Sequence, residues 1–191
     1  MKQAKLLTQA EQKRVQAVIN AHRYSARNHA IFAFSFFAGL RACEIAALRV
    51  GDVYEASGQV RDTILLGAEQ TKGSEANTVL VSKRLSKILS KYAVAYPRHI
   101  SRHDAPLFFS AKRGGFSAQT IVNLFARFYA LAGIRGASSH SGRRQFLTEL
   151  ADKGINARVI QALARHKHLN TTMRYIDIND RKLRAAIDLA G

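Results

Sequence analysis

Apolar residues recur at helical spacing along most of the chain. A first helix is expected to run from Thr8 to about Ala21, because Thr8 and Glu11 have the spacing of a capping box. Residues 25–37 are apolar on nearly every side, which predicts a second helix that is buried on most of its surface and ended by Gly39. The same spacing predicts further helices over residues 42–48, 85–94, 117–132, 141–152, 156–165, 170–176 and 180–189.

The periodicity changes from helical to alternating between residues 61 and 82. RDTILL and NTVLVS are strand-like runs, and the polar stretch GAEQTKGSEA between them is rich in turn residues. Two strands of an antiparallel pair are therefore expected, with Lys72 in or beside the connecting turn. The segment PRHISRHDAP, residues 97–106, is expected to be a loop. The predicted fold class is mainly α with a small antiparallel β-sheet, in a single domain of residues 1–191.

Charge adds an expectation about partners. The 191 residues include 30 Lys and Arg against 13 Asp and Glu, a net charge of +17 that is scattered through the periodic segments. Each cation that neutralises a phosphate releases condensed counterions, which favours nucleic acid as the partner. A membrane surface is disfavoured because no segment combines a basic face with a broad aromatic face, and Trp is absent.

Cysteine content and the lengths of the apolar segments indicate the compartment. Cys43 is the only cysteine, so no internal disulfide is possible and a reducing environment suits the chain. The longest apolar stretch, residues 30–40, is interrupted by Ser35 and is too short to span a bilayer. We expect a cytoplasmic protein associated with the bacterial nucleoid.

A histidine and an arginine stand at the predicted start of one helix. In SSHSGRRQF, His140 and Arg143 are three residues apart and would share a helix face. A helix N-terminus also presents free N–H groups and a partial positive charge to an anion. An oxyanion site is therefore predicted here, although His-x-x-Arg alone is a common pattern.

An ordered set of six residues carries a resemblance to a known family. Beside His140 and Arg143 it contains Arg41 in AGLRACEIAAL, Lys72 in TKGS, His166 in ARHKH and Tyr175 in TTMRY. Their order, spacing and flanking residues resemble the catalytic domain of the tyrosine recombinases, the phage integrase family, over about residues 8–189. The family's T-G-L-R-x-x-E-L stretch is mirrored by A-G-L-R-A-C-E-I, and Tyr175 follows His166 by nine residues, as in the family.

The resemblance implies a tyrosine recombinase catalytic-domain fold and site-specific DNA recombination by integration, excision or inversion. Charge builds on the non-bridging oxygens of a phosphodiester under attack, and fixed donors aimed at those oxygens stabilise it. Arg41 and Arg143 suit this role because their forked guanidinium groups stay charged, and His166 can add a third donor. Tyr175 would attack the phosphorus and form a 3′-phosphotyrosyl link, which conserves the backbone bond without ATP.

Two further residues are implied for proton transfer. A phenol keeps its proton at neutral pH, so the nucleophile needs an acceptor, and His140 is the family-like general base. Lys72 resembles the general acid that protonates the leaving 5′-oxygen. Lys83 or Lys112 could replace it only if the sheet had a different register. No metal or other cofactor is required, in keeping with the lack of a carboxylate cluster suited to Mg²⁺.

Less specific interpretations of these residues stay open. Arg41 could satisfy a carbonyl at a helix C-terminus, and Glu44 is expected to orient Arg41 or a nearby backbone group. His140 could merely cap its helix, and His166 could be a hydrogen-bonded core histidine. A zinc site could be suggested by the histidines, but no cysteines accompany them and no tetrahedral set is evident among His99, His103, His166 and His168. The remaining tyrosines lack the cationic surroundings of Tyr175 in the sequence and are expected to pack in the interior: Tyr24, Tyr54, Tyr92, Tyr96 and Tyr129.

Three positions depart from the family pattern. The family's His-x-Leu-Arg-His is here His140-Ser-Gly142-Arg143-Arg144, so Gly142 adds backbone freedom and Arg144 adds a cation. The residue before the last histidine is usually glycine in the family, whereas here it is Arg165, which is expected to contact the DNA backbone or to crowd the loop.

Length and assembly follow from the same resemblance. The chain is expected to be a catalytic-domain-only member without the N-terminal core-binding domain, similar to the recombinases that invert fimbrial promoters. Double-stranded DNA is the expected partner, bound by a homotetramer with the possible help of an accessory DNA-bending protein. The C-terminal helix, within residues 177–191, would dock on a neighbouring subunit or fold back on its own domain. Base-reading side chains are expected at Gln119, Asn123 and Arg127.

Two other functions are compatible with parts of this pattern. A type IB topoisomerase uses similar residues to relax DNA, and it would act on any supercoiled plasmid rather than at matched sites. A non-catalytic DNA-binding regulator could keep the fold but would form no covalent adduct with DNA. The presence of all six residues favours the recombinase.

Overall fold

The structure is a computed structural model that describes residues 3–71, 75–110, 114–176, 183–184 and 187–188. It divides into two compact units, Met1–Phe146 and Leu147–Gly191. The helices are α1 (Gln9–Asn20), α2 (Ser25–Ala38), α3 (Ala42–Ala47), α4 (Val50–Val53), α5 (Lys83–Ala95), α6 (Pro97–Ile100), α7 (Ala118–Leu131), α8 (Ser141–Asp152), α9 (Ala157–Ala164) and α10 (Leu169–Met173). Within these described residues, none of the helices is long and apolar enough to cross a membrane.

The first helix begins as its sequence predicts. The Thr8 hydroxyl accepts from the Glu11 N–H at 3.2 Å, and the Glu11 carboxylate accepts from the Thr8 N–H at 3.0 Å. Both halves of the capping box are therefore formed, and they satisfy two donors that a helix start leaves unpaired. The helix ends at Asn20, with Ala21 as its C-cap, close to the predicted end.

The core of the first unit is built around α2. Phe32, Phe34 and Phe36 are all buried, as the nearly all-round apolar sequence predicts. α2 packs against α1 and α5, so its surface is covered from more than one side. It ends at Gly39, which has φ 62°, the left-handed conformation that glycine adopts without a steric cost.

A two-stranded antiparallel sheet interrupts the helices. β1 (Thr63–Leu66) pairs with β2 (Asn77–Leu80), and Ile64 lies opposite Val79. Ile64 and Val79 are buried, whereas Leu65 is exposed, so the strands alternate between the core and the surface. The predicted sheet and fold class are confirmed.

Short elements that lack a full period of apolar residues escaped the sequence prediction. The segment expected to be a loop at residues 97–106 begins with the short helix α6, so this expectation was wrong for its first turn. Proline at the first helical position needs no N–H partner and already has a helical φ, which explains why Pro97 starts a helix. A single turn of 3₁₀-helix, Ala68–Gln70, follows β1, and α4 follows α3.

The second unit contains α9 and α10. The Asn156 side chain caps α9 by accepting from the Arg158 N–H at 2.8 Å, and Ile160 and Ala164 form the buried face of that helix. α10 packs against α9. The predicted helix at residues 180–189 falls mostly outside the described residues, within which residues 183–184 and 187–188 are helical.

Candidate active site

Arg41 lies at the turn between α2 and α3. Its guanidinium donates through Nη1 to Glu44 Oε1 at 2.7 Å, and its backbone N–H donates to Glu44 Oε2 at 2.8 Å. Glu44 is almost fully buried, and one quarter of the Arg41 side chain is exposed. The carboxylate thus holds both the backbone and the side chain of Arg41, as expected. Arg41 is the N-cap of α3, so its backbone belongs to a helix start.

Arg143 reaches the same turn from a distant part of the sequence. It lies in the first turn of α8, is 4% exposed, and donates through Nη1 to the carbonyl oxygen of Gly39, 104 positions earlier in the chain. Gly39 precedes Arg41 by two residues. Two of the predicted phosphate-binding arginines are therefore tied to one turn of the backbone, although each comes from a different helix.

Two glycines near the turn between α2 and α3 pack closely against aromatic rings. A Cβ atom at Gly39 would come within 2.8 Å of the Phe146 ring, and Gly39 already needs its positive φ. A Cβ atom at Gly142, in the first turn of α8, would overlap the Ser35 hydroxyl and come within 2.7 Å of the Phe36 ring. The family's usual leucine would not fit at Gly142, so glycine here allows α8 to approach α2 closely.

His140 directly precedes α8. Its side chain is exposed, its backbone N–H donates to the Ser138 hydroxyl at 3.3 Å, and its carbonyl accepts from the Arg144 N–H at 2.9 Å. The backbone of His140 is thus held at the helix start. An exposed imidazole at this point is accessible to a ligand that approaches the N-terminal turn of α8.

The two residues that follow Arg143 bind the N-terminal segment of the chain. Arg144 donates through Nη1 to the carbonyl of Ala4, and the Gln145 side chain accepts from the Leu7 N–H at 3.1 Å. The extra cation at Arg144 therefore has a structural contact, which the sequence alone did not reveal.

In the second unit, His166 and Tyr175 lie against each other. Their rings are nearly parallel, with an interplanar angle of 19° and 5.8 Å between centroids. His166 is 9% exposed, and its Nδ1 is 2.9 Å from the hydroxyl of Thr172. The description of His166 as a hydrogen-bonded, largely buried histidine is thus correct, and the ring also contacts the predicted nucleophile. Tyr175 itself is partly exposed.

The backbone before His166 adopts an unusual conformation. Arg165 has φ 55° and is the C-cap of α9, and among the described residues no other non-glycine residue has a positive φ. Gln161 accepts from the His166 N–H at 3.1 Å and donates through its side chain to the His166 carbonyl at 3.0 Å. This turn is the place where the family usually has glycine, and the left-handed φ supplies a physical reason for that preference.

The candidates for the general acid are Lys72, Lys83 and Lys112. Lys72 and Lys112 lie outside the described residues, so the predicted general acid stays a prediction. Lys83 is exposed at the first position of α5 and lies after β2, not in the turn between the strands. Arg41, His140 and Arg143 belong to the first unit, and His166 and Tyr175 belong to the second.

Several of the other tyrosines are unsuited to nucleophilic attack. Tyr54 donates to the carbonyl of Leu89 at 2.9 Å, and Tyr92 donates to the carbonyl of Leu107 at 2.7 Å. Burial raises the pKa of each of these phenols well above its ordinary value, which opposes formation of a phenolate. Burial likewise raises the pKa of Tyr96 and Tyr129.

Tyr24 does have cationic neighbours, contrary to the sequence-based expectation. The Arg27 guanidinium lies 4.3 Å from the centre of its ring, and Arg23 lies 5.2 Å away. The Tyr24 ring also packs edge-on against Phe109. The cations stack on the face of the ring, which is a packing arrangement.

The predicted base-reading residues share one exposed face of α7. Gln119, Asn123 and Arg127 are all exposed, and the Gln119 amide donates to Asn123 at 2.9 Å.

Across the described residues, no three His, Cys, Asp or Glu side chains converge on a position that could hold a metal ion.

The fold defines the class of protein. A crystal structure of XerA recombinase matches with a TM-score of 0.75 and 24% identity, covering 99% of this chain and 66% of that one. XerH site-specific recombinase bound to its difH substrate matches with a TM-score of 0.71 and 21% identity, covering 97% of this chain and 54% of that one. This is the fold of a tyrosine recombinase catalytic domain.

Sequence comparison names the family. The family model described as the phage integrase family matches residues 5–182, and the chain belongs to this family. Tyrosine recombinase XerC of Syntrophus aciditrophicus is 25% identical over 174 residues, which are 87% of this chain and 54% of the relative. The chain thus spans about half the length of the curated relatives it matches.

Proposed function

We propose that this chain breaks and rejoins double-stranded DNA as a site-specific recombinase, which integrates, excises or inverts a DNA segment. Its intermediate is a covalent 3′-phosphotyrosyl link, formed without metal or ATP. Membership of the phage integrase family and the shared catalytic-domain fold support this proposal.

Stabilisation of the phosphoryl group is the task of the cationic residues. In the transition state, negative charge grows on the non-bridging oxygens, and donors that are already in place lower the barrier without reorganisation. Arg41 and Arg143 supply forked, permanently charged donors, and His166 adds a third. The buried carboxylate of Glu44 and the carbonyl of Gly39 hold the two arginines, which limits the number of conformations they can adopt.

The covalent step transfers a phosphoryl group from the 5′-oxygen to a phenol. The Tyr175 oxygen attacks the phosphorus, the bond from phosphorus to the 5′-oxygen breaks, and the DNA strand keeps a 5′-hydroxyl. His140 accepts the phenol proton and Lys72 donates a proton to the leaving oxygen. Attack by a different 5′-hydroxyl reverses each transfer and releases Tyr175.

DNA is bound through charge and through α7. A net charge of +17 provides many phosphate contacts, so affinity should fall steeply with salt. Gln119, Asn123 and Arg127 on the exposed face of α7 contact base edges in the major groove. The active assembly is a homotetramer on DNA, with an accessory DNA-bending protein as a further partner. The segment of residues 177–191 either docks on a neighbouring subunit or folds back on its own domain.

One observation carries the proposal furthest. Arg41 and Arg143 are distant in sequence, yet Arg143 donates to the carbonyl of Gly39, two residues before Arg41. Two like charges at one turn repel each other, so their placement there is not explained by stability. Two arginines tied to one turn suit an anionic ligand such as a phosphate.

The test is covalent capture of DNA. The protein is incubated with sheared bacterial genomic DNA and denatured, and the DNA that stays attached is sequenced. Tyr175→Phe is the test variant, and Tyr24→Phe is the matched control. Tyr24 is partly buried, as Tyr175 is, and it has two arginines over its ring. We expect wild type and Tyr24→Phe to retain DNA at one recurring sequence, and Tyr175→Phe to retain none.

Two other outcomes of the covalent capture would favour a different function. Attachment through Tyr175 without sequence preference would favour type IB topoisomerase activity. Salt-sensitive DNA binding without any adduct would favour a non-catalytic regulator.

A further inference from the structure

Thr172 contacts both catalytic candidates of the second unit. Its hydroxyl is 2.9 Å from His166 Nδ1, and its backbone carbonyl accepts from the Tyr175 N–H at 2.9 Å. The residue is fully buried, as the fourth residue of α10. One residue therefore links the imidazole and the phenol through two separate hydrogen bonds.

The hydroxyl bears on where the imidazole proton lies. In a neutral histidine one ring nitrogen donates and the other accepts, and the partner of one nitrogen decides the role of the other. If the Thr172 hydroxyl donates to Nδ1, the proton lies on Nε2. His166 then presents an N–H donor on the edge of the ring that faces away from Thr172.

The backbone contact bears on the nucleophile. Tyr175 follows α10 by two residues, and its N–H is held by the Thr172 carbonyl. Its ring lies nearly parallel to the imidazole that the Thr172 hydroxyl holds. A shift of Thr172 would therefore move both rings, and reacting groups lose rate steeply when they are displaced by about 1 Å.

We propose that Thr172 is a positioning residue: its hydroxyl donates to His166 Nδ1, which keeps a proton on Nε2 for a phosphate oxygen and fixes the ring plane against which Tyr175 lies. This role rests on the proposed recombinase function. It adds to the six predicted residues one that does not itself touch DNA.

A structural role alone would have different consequences. A buried threonine hydroxyl needs a partner, and the imidazole could serve only to satisfy it. Loss of the hydroxyl would then lower the stability of the second unit while leaving the tautomer of His166 and the chemical step unchanged. The two roles are therefore separable by measurements on the ring and on the reaction.

The first measurement is made on the full chain without DNA. Nitrogen-15 NMR of the histidine side chains reports which ring nitrogen carries the proton when the ring is neutral. We expect the Nε2–H form of His166 to predominate in the wild type and to give way to a mixture in Thr172→Val, which keeps the shape but loses the hydroxyl. Thr172→Ser should restore the wild-type signals. Thr171→Val is the matched control, because Thr171 is the exposed neighbour.

The second measurement follows the chemical step. Each variant is mixed with an excess of a nicked duplex that carries the sequence recovered by covalent capture. The rate of adduct formation is then measured. We expect Thr172→Val to form the adduct about 10- to 100-fold more slowly with little change in DNA affinity, since the substitution alters the tautomer of His166 and the position of the reacting groups and leaves the basic surface of the chain unchanged. Thr172→Ser and Thr171→Val should be close to wild type.

Several outcomes would overturn the positioning role of Thr172. Wild-type rates and tautomers in Thr172→Val would overturn the positioning role, as would a wild-type His166 that carries its proton on Nδ1. A slow Thr172→Val with unchanged histidine signals would also overturn it, because the loss of rate would then not arise from the tautomer of His166. If wild type forms no adduct at all, the recombinase function fails, and the positioning role fails with it.

Discussion

Two arginine–glutamate pairs in the first unit allow a direct measurement of what burial does to an ion pair. Arg41–Glu44 and Arg61–Glu55 have the same N–O separation of 2.7 Å. The side chains of the first pair are 25% and 1% exposed, and those of the second are 37% and 48% exposed. The perturbation is the same in each case, replacement of the glutamate by alanine.

The magnitudes follow from the contacts that are lost. Glu44→Ala removes the acceptor of the Arg41 guanidinium and of its backbone N–H, and leaves a largely buried cation without its carboxylate. Breaking a buried pair costs about 3–5 kcal/mol, and the partial exposure of Arg41 places this case near the lower end, at about 3 kcal/mol. Glu55→Ala should cost no more than about 1 kcal/mol, since exposed pairs are screened by water.

The assay is urea unfolding followed by far-UV circular dichroism, because the chain has no tryptophan to report by fluorescence. Each glutamate variant is combined with an alanine at its arginine to complete a double-mutant cycle. We expect a larger coupling free energy for Arg41–Glu44 than for Arg61–Glu55. Equal losses for Glu44→Ala and Glu55→Ala, at unchanged urea dependence, would refute the reasoning from burial.

Three further predictions concern backbone conformation, packing and pH. Gly142→Ala should lower the free energy of unfolding by about 1–3 kcal/mol in urea titrations, because the new Cβ overlaps the Ser35 hydroxyl; an unchanged or higher value would contradict the close packing. Arg165→Gly should raise the free energy of unfolding by about 0.5–1 kcal/mol in the same assay, because glycine removes the steric cost of a left-handed φ while losing some chain entropy. Arg165→Ala, which keeps the strain, should give no such gain. The pKa of Glu11 is held below its ordinary value by the Lys5 ammonium and then by the Thr8 backbone, so its contribution to stability is present above pH 4.5 and is lost as the pH falls through the lowered value. Acid titration should therefore destabilise wild type more than Glu11→Gln, and parallel curves for the two proteins would exclude this role.

Features decided within a few residues were predictable from the sequence. The capping box of α1 and the pairing of Arg41 with Glu44 each join residues three apart, and helix geometry brings such residues together. The two strands were predictable because alternation and turn residues occur side by side. The order of the six catalytic candidates was recognisable for a different reason, the resemblance to a family.

Contacts between distant segments were not predictable in the same way. Arg143 donates to Gly39, and Arg144 donates to Ala4, but any exposed backbone carbonyl could have accepted from either arginine. Only the packing of the first turn of α8 selects these acceptors. Thr172 was overlooked for a related reason, since the sequence does not show which of two adjacent threonines is buried.

Two of the departures from the family pattern, at Gly142 and Arg165, change the conformational freedom of the backbone at a turn. Gly142 stands where the family usually has leucine, and its missing side chain lets α8 pack on the Ser35 hydroxyl and the Phe36 ring. Arg165 stands where the family usually has glycine, and it accepts a left-handed φ at a cost of about 1–2 kcal/mol. Such strain persists only where surrounding contacts hold the backbone, as Gln161 holds His166 from both its N–H and its carbonyl. Arg165→Gly should thus relieve the strain without moving His166, because these contacts do not involve the Arg165 side chain.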